Sequence, residues 1–305
     1  MSVLSFGSLN IDKLYVVPRL ARKGETIRAE SYIVSPGGKG LNQSIALAKA
    51  DCKVIHFGAV GAADGEFLVN TLKECENIDT SHILRIGPVP SGHAVITLDQ
   101  NADNSIVVYG GANRLLSRDY ILSCLELGKP GDIVLLQNET NYTDFIISEA
   151  YDRGFDVCFN PSPITKELLS YPIRKAEYLI LNETESYALA GGKFPENELL
   201  FKLQTIFPET NIVLTLGEKG AVFARKKEEG GERIYQDSFK VNAVDTVGAG
   251  DTFTGYFLSS ITKNRSIRHS LKLACAAAAV CVTKTGSAYS IPDIKEVKAF
   301  LSRQS

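Results

Sequence analysis

Residues 133–185 read IVLLQNETNYTDFIISEAYDRGFDVCFNPSPITKELLSYPIRKAEYLILNETE. Three short apolar runs, 133–136, 157–159 and 178–181, stand here with longer segments between them, and each run is continuous rather than alternating. A strand covered on both faces has no polar side to show, so such runs predict the parallel strands of an α/β sheet. Working outward, residues 3–6, 54–57 and 212–216 repeat the pattern. Between many of the runs lie helix-length segments with apolar residues three and four apart, for example 40–50 and 67–72. This alternation predicts a mostly parallel sheet with helices on both sides.

Each run ends in a small or polar cluster: GSLNID after 3–6, QNE after 133–136, NPSP after 157–159, NETE after 178–181 and Gly217 after 212–216. Any one cluster is an ordinary turn or helix cap. Five of them point to a site, because ligands of open α/β sheets bind outside the carboxyl ends of the strands.

Two regions break the rhythm. Residues 13–35 and 92–109 carry strand-like runs with no helix between them, divided by Gly24 in one and by 101–104 in the other. They predict hairpin-like pairs that join in a small sheet beside the main body. Toward the C-terminus, 252–261, 267–283 and 294–302 read as helices; the small residues 276–279 give a close-packing face and the charged run 225–233 a solvated hairpin tip.

At 305 residues, 44% hydrophobic and 22% charged, the chain is expected to fold as one large α/β body with a small appendage. A formal charge of −2 provides no field to draw in nucleic acid or an anionic membrane. The longest apolar run, 273–282, is ten residues, about half of what a bilayer span needs. No signal peptide is expected from the first residues. Six cysteines without C-x-x-C and four histidines without ligand spacing predict reduced thiols in a cytoplasmic protein.

The sharpest motif is DTVGAGDTFTG at 245–255. Small residues before a helical pattern let the amides of Gly248, Ala249 and Gly250 close on a phosphate, and the helix dipole adds to the attraction. Asp251, beside those amides, suits a base that accepts a proton from an attacking hydroxyl; the structural alternative is a helix cap. Neither the Walker loop nor the dinucleotide fingerprint is present. A second cluster, PGGKGLNQ at 36–43, combines glycines that permit close approach with Lys39 and Asn42 as donors.

With GGKGLNQ, NETE, TLGEKG and DTVGAGDTFTG in this order, the chain resembles the ribokinase family of sugar and nucleoside kinases over nearly its full length. The resemblance implies a three-layer α/β/α fold with a mostly parallel central sheet (1–12, 36–91 and 110–305) and a small β-sheet lid (13–35 and 92–109), which in that family also forms a homodimer contact. Finer matches at 8–12, 24–26, 110–113 and 160–163 favour a pentose over a nucleoside. The implied reaction moves the γ-phosphoryl group of ATP to the primary hydroxyl of ribose, with Asp251 as base and Gly248, Ala249 and Gly250 as the anion hole. Deoxyribose, a ketohexose or a nucleoside are alternative acceptors, and a silent sugar-binding regulator is a further alternative.

The family pattern assigns the sugar to Asn10, Asp12, Gly38, Lys39, Asn42, Glu139 and Asp251. It assigns the nucleotide to Asn182, Glu185, Thr215, Leu216, Gly217, Glu218, Lys219, Gly220 and Gly250. It implies Mg²⁺ reached by Glu185 through water, and K⁺ held by Asp245, Val247, Cys281, Lys284, Gly286 and Ser290. Cys275 stands where relatives commonly carry a polar residue near the adenine, so no base hydrogen bond is expected there. His93 and Tyr109 are expected to be structural.

Overall fold

The computed structural model describes residues 1–101 and 103–304, without the side chain of residue 228; positions 102 and 305, within the expected lid and main-body segments, lie outside the described residues. The first half runs β1 (Val3–Phe6), β2 (Asn10–Val16), β3 (Ser31–Gly37), α1 (Lys39–Lys49), β4 (Val54–Phe57), β5 (Ala59–Gly61), α2 (Glu66–Lys73), β6 (Ile78–Asp79), β7 (Leu84–Ile86), β8 (Gly92–Leu98), β9 (Asn104–Tyr109) and α3 (Arg118–Leu125). Next come β10 (Ile133–Gln137), α4 (Thr143–Asp152), β11 (Asp156–Asn160), β12 (Tyr178–Asn182), α5 (Glu183–Ala190), α6 (Glu196–Ile206) and β13 (Asn211–Thr215). The chain ends with β14 (Ala221–Ala224), β15 (Arg233–Gln236), α7 (Ala249–Thr262), α8 (Ile267–Cys281), α9 (Ser287–Ser290) and α10 (Ile294–Arg303).

The central sheet has nine strands in the order β15-β14-β13-β12-β11-β10-β1-β4-β6. All neighbours are parallel except at β14, which is antiparallel to β13 and to β15. From β1 the chain first builds toward β4 and β6, then crosses to β10 and builds the other way, so the order reverses between β1 and β10. That reversal opens the crevice in which open α/β sheets bind ligands.

The continuous apolar runs follow from two cores. Val3, Ile133, Leu135 and Val213 face the core under α1, α7 and α8, whereas Leu4, Val134, Leu136 and Leu214 face the one under α3 to α6. Each such side chain, fully buried, contributes about 1.5–3 kcal/mol. On the first face α1 is clamped on two sides: a Cβ at Gly40 would lie 2.3 Å from Gly7 Cα, and one at Gly255 of α7 would lie 2.4 Å from Ala46 Cβ. Only glycine permits either approach.

A second sheet, β3-β2-β8-β9, lies beside the main body. Its strands reach Asn10 at one end and Gly37 at the other, three and two residues past the expected segment 13–35. The link between β2 and β3 is a long irregular stretch rather than a tight turn, and the pairs join through parallel β2 and β8. The pair β5 and β7 forms a further small sheet that the sequence pattern does not announce. Helix 267–283 ends at Cys281, helix 252–261 begins already at Ala249, and Leu216 falls just beyond β13.

Candidate active site

The polar clusters at the strand ends are joined to one another by side-chain hydrogen bonds. Ser8, after β1, donates to Glu139, after β10. Asn138 donates to the Pro163 carbonyl at 2.7 Å, tying the QNE and NPSP segments. Asn160 donates to the Ile180 carbonyl at 2.9 Å, and Thr215 to the Leu181 carbonyl at 3.2 Å. The five strand ends thus form one continuous rim.

Asp251 lies in the first turn of α7, buried, and caps nothing: the N-cap is Gly248, in the left-handed region at φ 80°. Its Oδ2 accepts from Asn42 Nδ2 at 3.0 Å and its Oδ1 from Gln43 Nε2 at 2.8 Å, both on α1. The carboxylate is therefore oriented by a neighbouring helix. Asn42 Oδ1 is buried without a protein partner, an acceptor still to be satisfied. A Cβ at Gly250 would meet nothing within 4 Å, so the protein's own packing does not require glycine there. The start of α7 is therefore unobstructed beside Gly250, where a helix N-terminus favours an anion, while the Ala249 amide donates to the Thr246 carbonyl at 3.3 Å.

Lys39 opens α1, after Gly38 at φ 93°. Its ammonium is held above the usual lysine range by the charge of Asp251 first, opposed by burial, with Glu139 and Glu185 adding to the attraction. The charges of acidic groups from three segments thus act on it. Glu139 accepts the Lys39 amide at 2.9 Å, and burial raises its carboxyl despite Lys39 and Ser8. Asp12 sits over Gly37, where a Cβ would lie 2.0 Å from its Oδ2, and its carboxyl is pushed up to about 7 by burial first and by Glu139 second. Asn10 Oδ1 accepts from Asn113 Nδ2 at 2.7 Å, which fixes its amide.

Asn182 and Glu185 form a capping box at the start of α5: Asn182 accepts the Glu185 amide at 2.9 Å, and Glu185 accepts the Asn182 amide at 2.9 Å. Each Glu185 oxygen takes one hydrogen bond, and so keeps a lone pair. Thr215 ends β13 opposite Asn182, Leu216 is buried, and Gly217, Glu218 and Lys219 form a helical turn closed by Gly220 at φ 103°. Cys275 is buried, its thiol pushed up to about 12 by burial and secondarily by Asp237.

Asp245 lies in a loop, and Lys284 pairs with Glu296 at 2.7 Å. Asp245 joins two loops, accepting the amides of Val247 and Gly286, each at 3.0 Å. The Cys281 carbonyl accepts the Lys284 amide at 3.1 Å, and Ser290 donates to the Ser287 carbonyl at 2.9 Å. His93 lies against Tyr109 with ring centroids 5.3 Å apart and the rings tilted by 44°, and Tyr109 is exposed.

The sequence pattern leaves out Gln43, Gln137, Ser8 and Asn113. Gln43 directly follows Asn42 in GGKGLNQ, and Asn113 closes GGAN, so the signal was adjacency to motif residues.

The profile of the pfkB family carbohydrate kinases matches residues 1–294. The ribokinase of Haemophilus influenzae is 34% identical over 304 residues, covering 97% of this chain and 96% of that protein. The deoxyribokinase of Salmonella typhi is 32% identical over 310 residues, covering 99% of each. The structure of Arabidopsis thaliana ribokinase complexed with ribose and ATP is similar at TM-score 0.86 and 28% identity, over 98% of both chains. Since the likeness spans main body and small sheet alike, the chain belongs to the pfkB family of carbohydrate kinases, phosphotransferases that act on an alcohol group.

Proposed function

We propose that this kinase transfers the γ-phosphoryl group of ATP to the primary hydroxyl of D-ribose, giving ribose 5-phosphate. The observation that carries the reading is a carboxylate, Asp251, held on both oxygens in the first turn of a helix whose Gly250 position is unobstructed. Asp251 takes the hydroxyl proton, while the amides of Gly248, Ala249 and Gly250 receive the charge of the transferring group. Asn10, Asp12, Gly38, Lys39, Asn42 and Glu139 hold the sugar. Residues 215–220 and Asn182 line the nucleotide.

Glu185, with a lone pair on each oxygen, suits water-mediated contact with Mg²⁺, which when bound neutralises phosphate charge. Asp245, with the carbonyls of Val247, Cys281, Lys284 and Gly286 and the Ser290 hydroxyl, supplies hard oxygen donors for K⁺. The exposed residues Ile33, Val34, Val107 and Val108 on the outer strands of the lid suit a homodimer contact. Six free thiols suit the cytoplasm. No helix among the described residues is long and apolar enough to cross a membrane.

2-Deoxyribose is the second acceptor to consider, given the deoxyribokinase relative. Ribose is placed first on the likeness to the ribokinase of Haemophilus influenzae, and the buried, unpartnered Asn42 Oδ1 suits a hydroxyl-rich ligand of either kind. ADP release measured across a panel of sugars should give the highest kcat/KM with ribose. Equal or better turnover of 2-deoxyribose would replace ribose as the acceptor.

A further inference from the structure

Gln43 is fully buried on α1 and uses its whole amide. Its Nε2 donates to Asp251 Oδ1 at 2.8 Å and to Asn160 Oδ1 at 3.2 Å, while its Oε1 accepts from Gln137 Nε2 at 2.7 Å. Gln137 and Asn160 occupy paired positions at the ends of the adjacent strands β10 and β11. Neither end of this chain of amides is free to turn. Asp251 offers its carboxylate as acceptor, so Gln43 must present Nε2 to it; Asn160 donates to the Ile180 carbonyl, so its Oδ1 must face Gln43. With both hydrogens of Nε2 committed, Oε1 can only face Gln137. Every amide in the chain therefore has one permitted orientation.

We propose that Gln43 is a positioning residue for phosphoryl transfer, which the Gln137 and Asn160 amides lock so that it fixes the plane of the Asp251 carboxylate. The inference rests on Asp251 being the base. Asn42 alone would hold one oxygen and leave the carboxylate to swing about that contact; the second donor, on the next residue of the same helix, removes the swing. Unlike Asn42, Gln43 has no polar atom left for substrate. It acts on the reaction through Asp251 and not on binding.

The test is a kinetic cycle with Gln43→Met, Gln137→Glu and Asp251→Asn. Gln43→Met should lower kcat by about 10²-fold, the scale of an ångström-level misplacement, with KM for sugar and ATP within about twofold. Gln137→Glu leaves Gln43 in place but, when ionised, takes away the donor to its Oε1 and sets an acceptor against it, so the amide loses its lock; it should lower kcat in the same direction, and it covers the case in which Gln43→Met does not fold. In the Asp251→Asn background either change should add no more than about twofold, because the relay has no base left to position. Wild-type kcat in a folded Gln43→Met or Gln137→Glu protein would overturn the proposal, as would an equal loss in both backgrounds, which marks a structural role. Wild-type turnover in Asp251→Asn would remove the base assignment as well, and so separates the two failures.

Discussion

The two ends of the cleft are built differently. At the end proposed for the sugar the side chains are already engaged with one another: Asp251 with Asn42 and Gln43, Glu139 with Ser8 and the Lys39 amide, Asn10 with Asn113. At the position proposed for the phosphate, nothing lies within 4 Å of where a Gly250 Cβ would be, and Val244 and Val247 in the loop before α7 are exposed. The first set is organised by the protein's own side chains; the start of α7 at Gly250 leaves space that the proposed function gives to phosphate. Substitutions at the first should disturb chemistry and sugar recognition through lost side-chain contacts, whereas one at Gly250 should act through the space it fills.

Asp251→Asn sharpens the contrast most. The fold and ligand affinity should persist while turnover falls by roughly two to four orders of magnitude, since the amide cannot take the proton. Retained turnover in single-turnover kinetics would remove the base from the sugar end.

Next is a pair of glycines at the two ends. Gly250→Val should leave the melting temperature near wild type and lower kcat by about 10²-fold, because its side chain enters space reserved for phosphate rather than protein. Gly40→Ala, the smaller change, would place Cβ 2.3 Å from Gly7 Cα and Ser8 N, and should destabilise by about 3 kcal/mol or more. If thermal melts rank them the other way, the contrast in packing is wrong.

Proton linkage probes the sugar end alone. The Asp12 carboxyl, raised from 3.8 to about 7 by burial and by Glu139, favours its protonated form in the folded protein. Its contribution to stability is therefore present below the unfolded value and lost as pH rises toward 7. Sugar hydroxyls that donate to the ionised form should reverse this: binding releases a proton, and affinity weakens up to about tenfold per pH unit below 7. Calorimetry in buffers of different ionisation enthalpy reads the proton, and Asp12→Asn should abolish it. An affinity that is flat across this range takes Asp12 out of the sugar site.

The smallest effect belongs to the nucleotide end. Adding K⁺ to enzyme in Na⁺ or Li⁺ at constant ionic strength should raise kcat several-fold, as a cation at Asp245 stiffens the loop before Gly248. Asp245→Ala should lose the response. Equal rates in the three salts would leave Asp245 as a loop tie only.

The parallel strands were legible because burial on both faces writes itself as an unbroken apolar run, as at Val3, Leu4 and at Ile133, Val134. The pair β5 and β7 was not, since three residues each carry no period. The lid's outer bounds were missed because Asn10 and Asp12 look like a polar turn, yet they lie in a strand paired with Gly37 and Ser35. Motif residues around Asp251 were readable from local chemistry. Gln43 was not, because its role depends on Gln137 and Asn160, 94 and 117 positions away in the chain.

The glycine clamp on α1 also sets how the molecule opens. A helix pressed against Gly7 on one side and Gly255 on the other cannot loosen without separating β1 from α7, so its amides should exchange with deuterium only through global unfolding. The outer strands β3 and β9, exposed along much of their length, should exchange through local openings far more often. The helix that carries Asn42 and Gln43 would then outlast the small sheet on any path out of the native state.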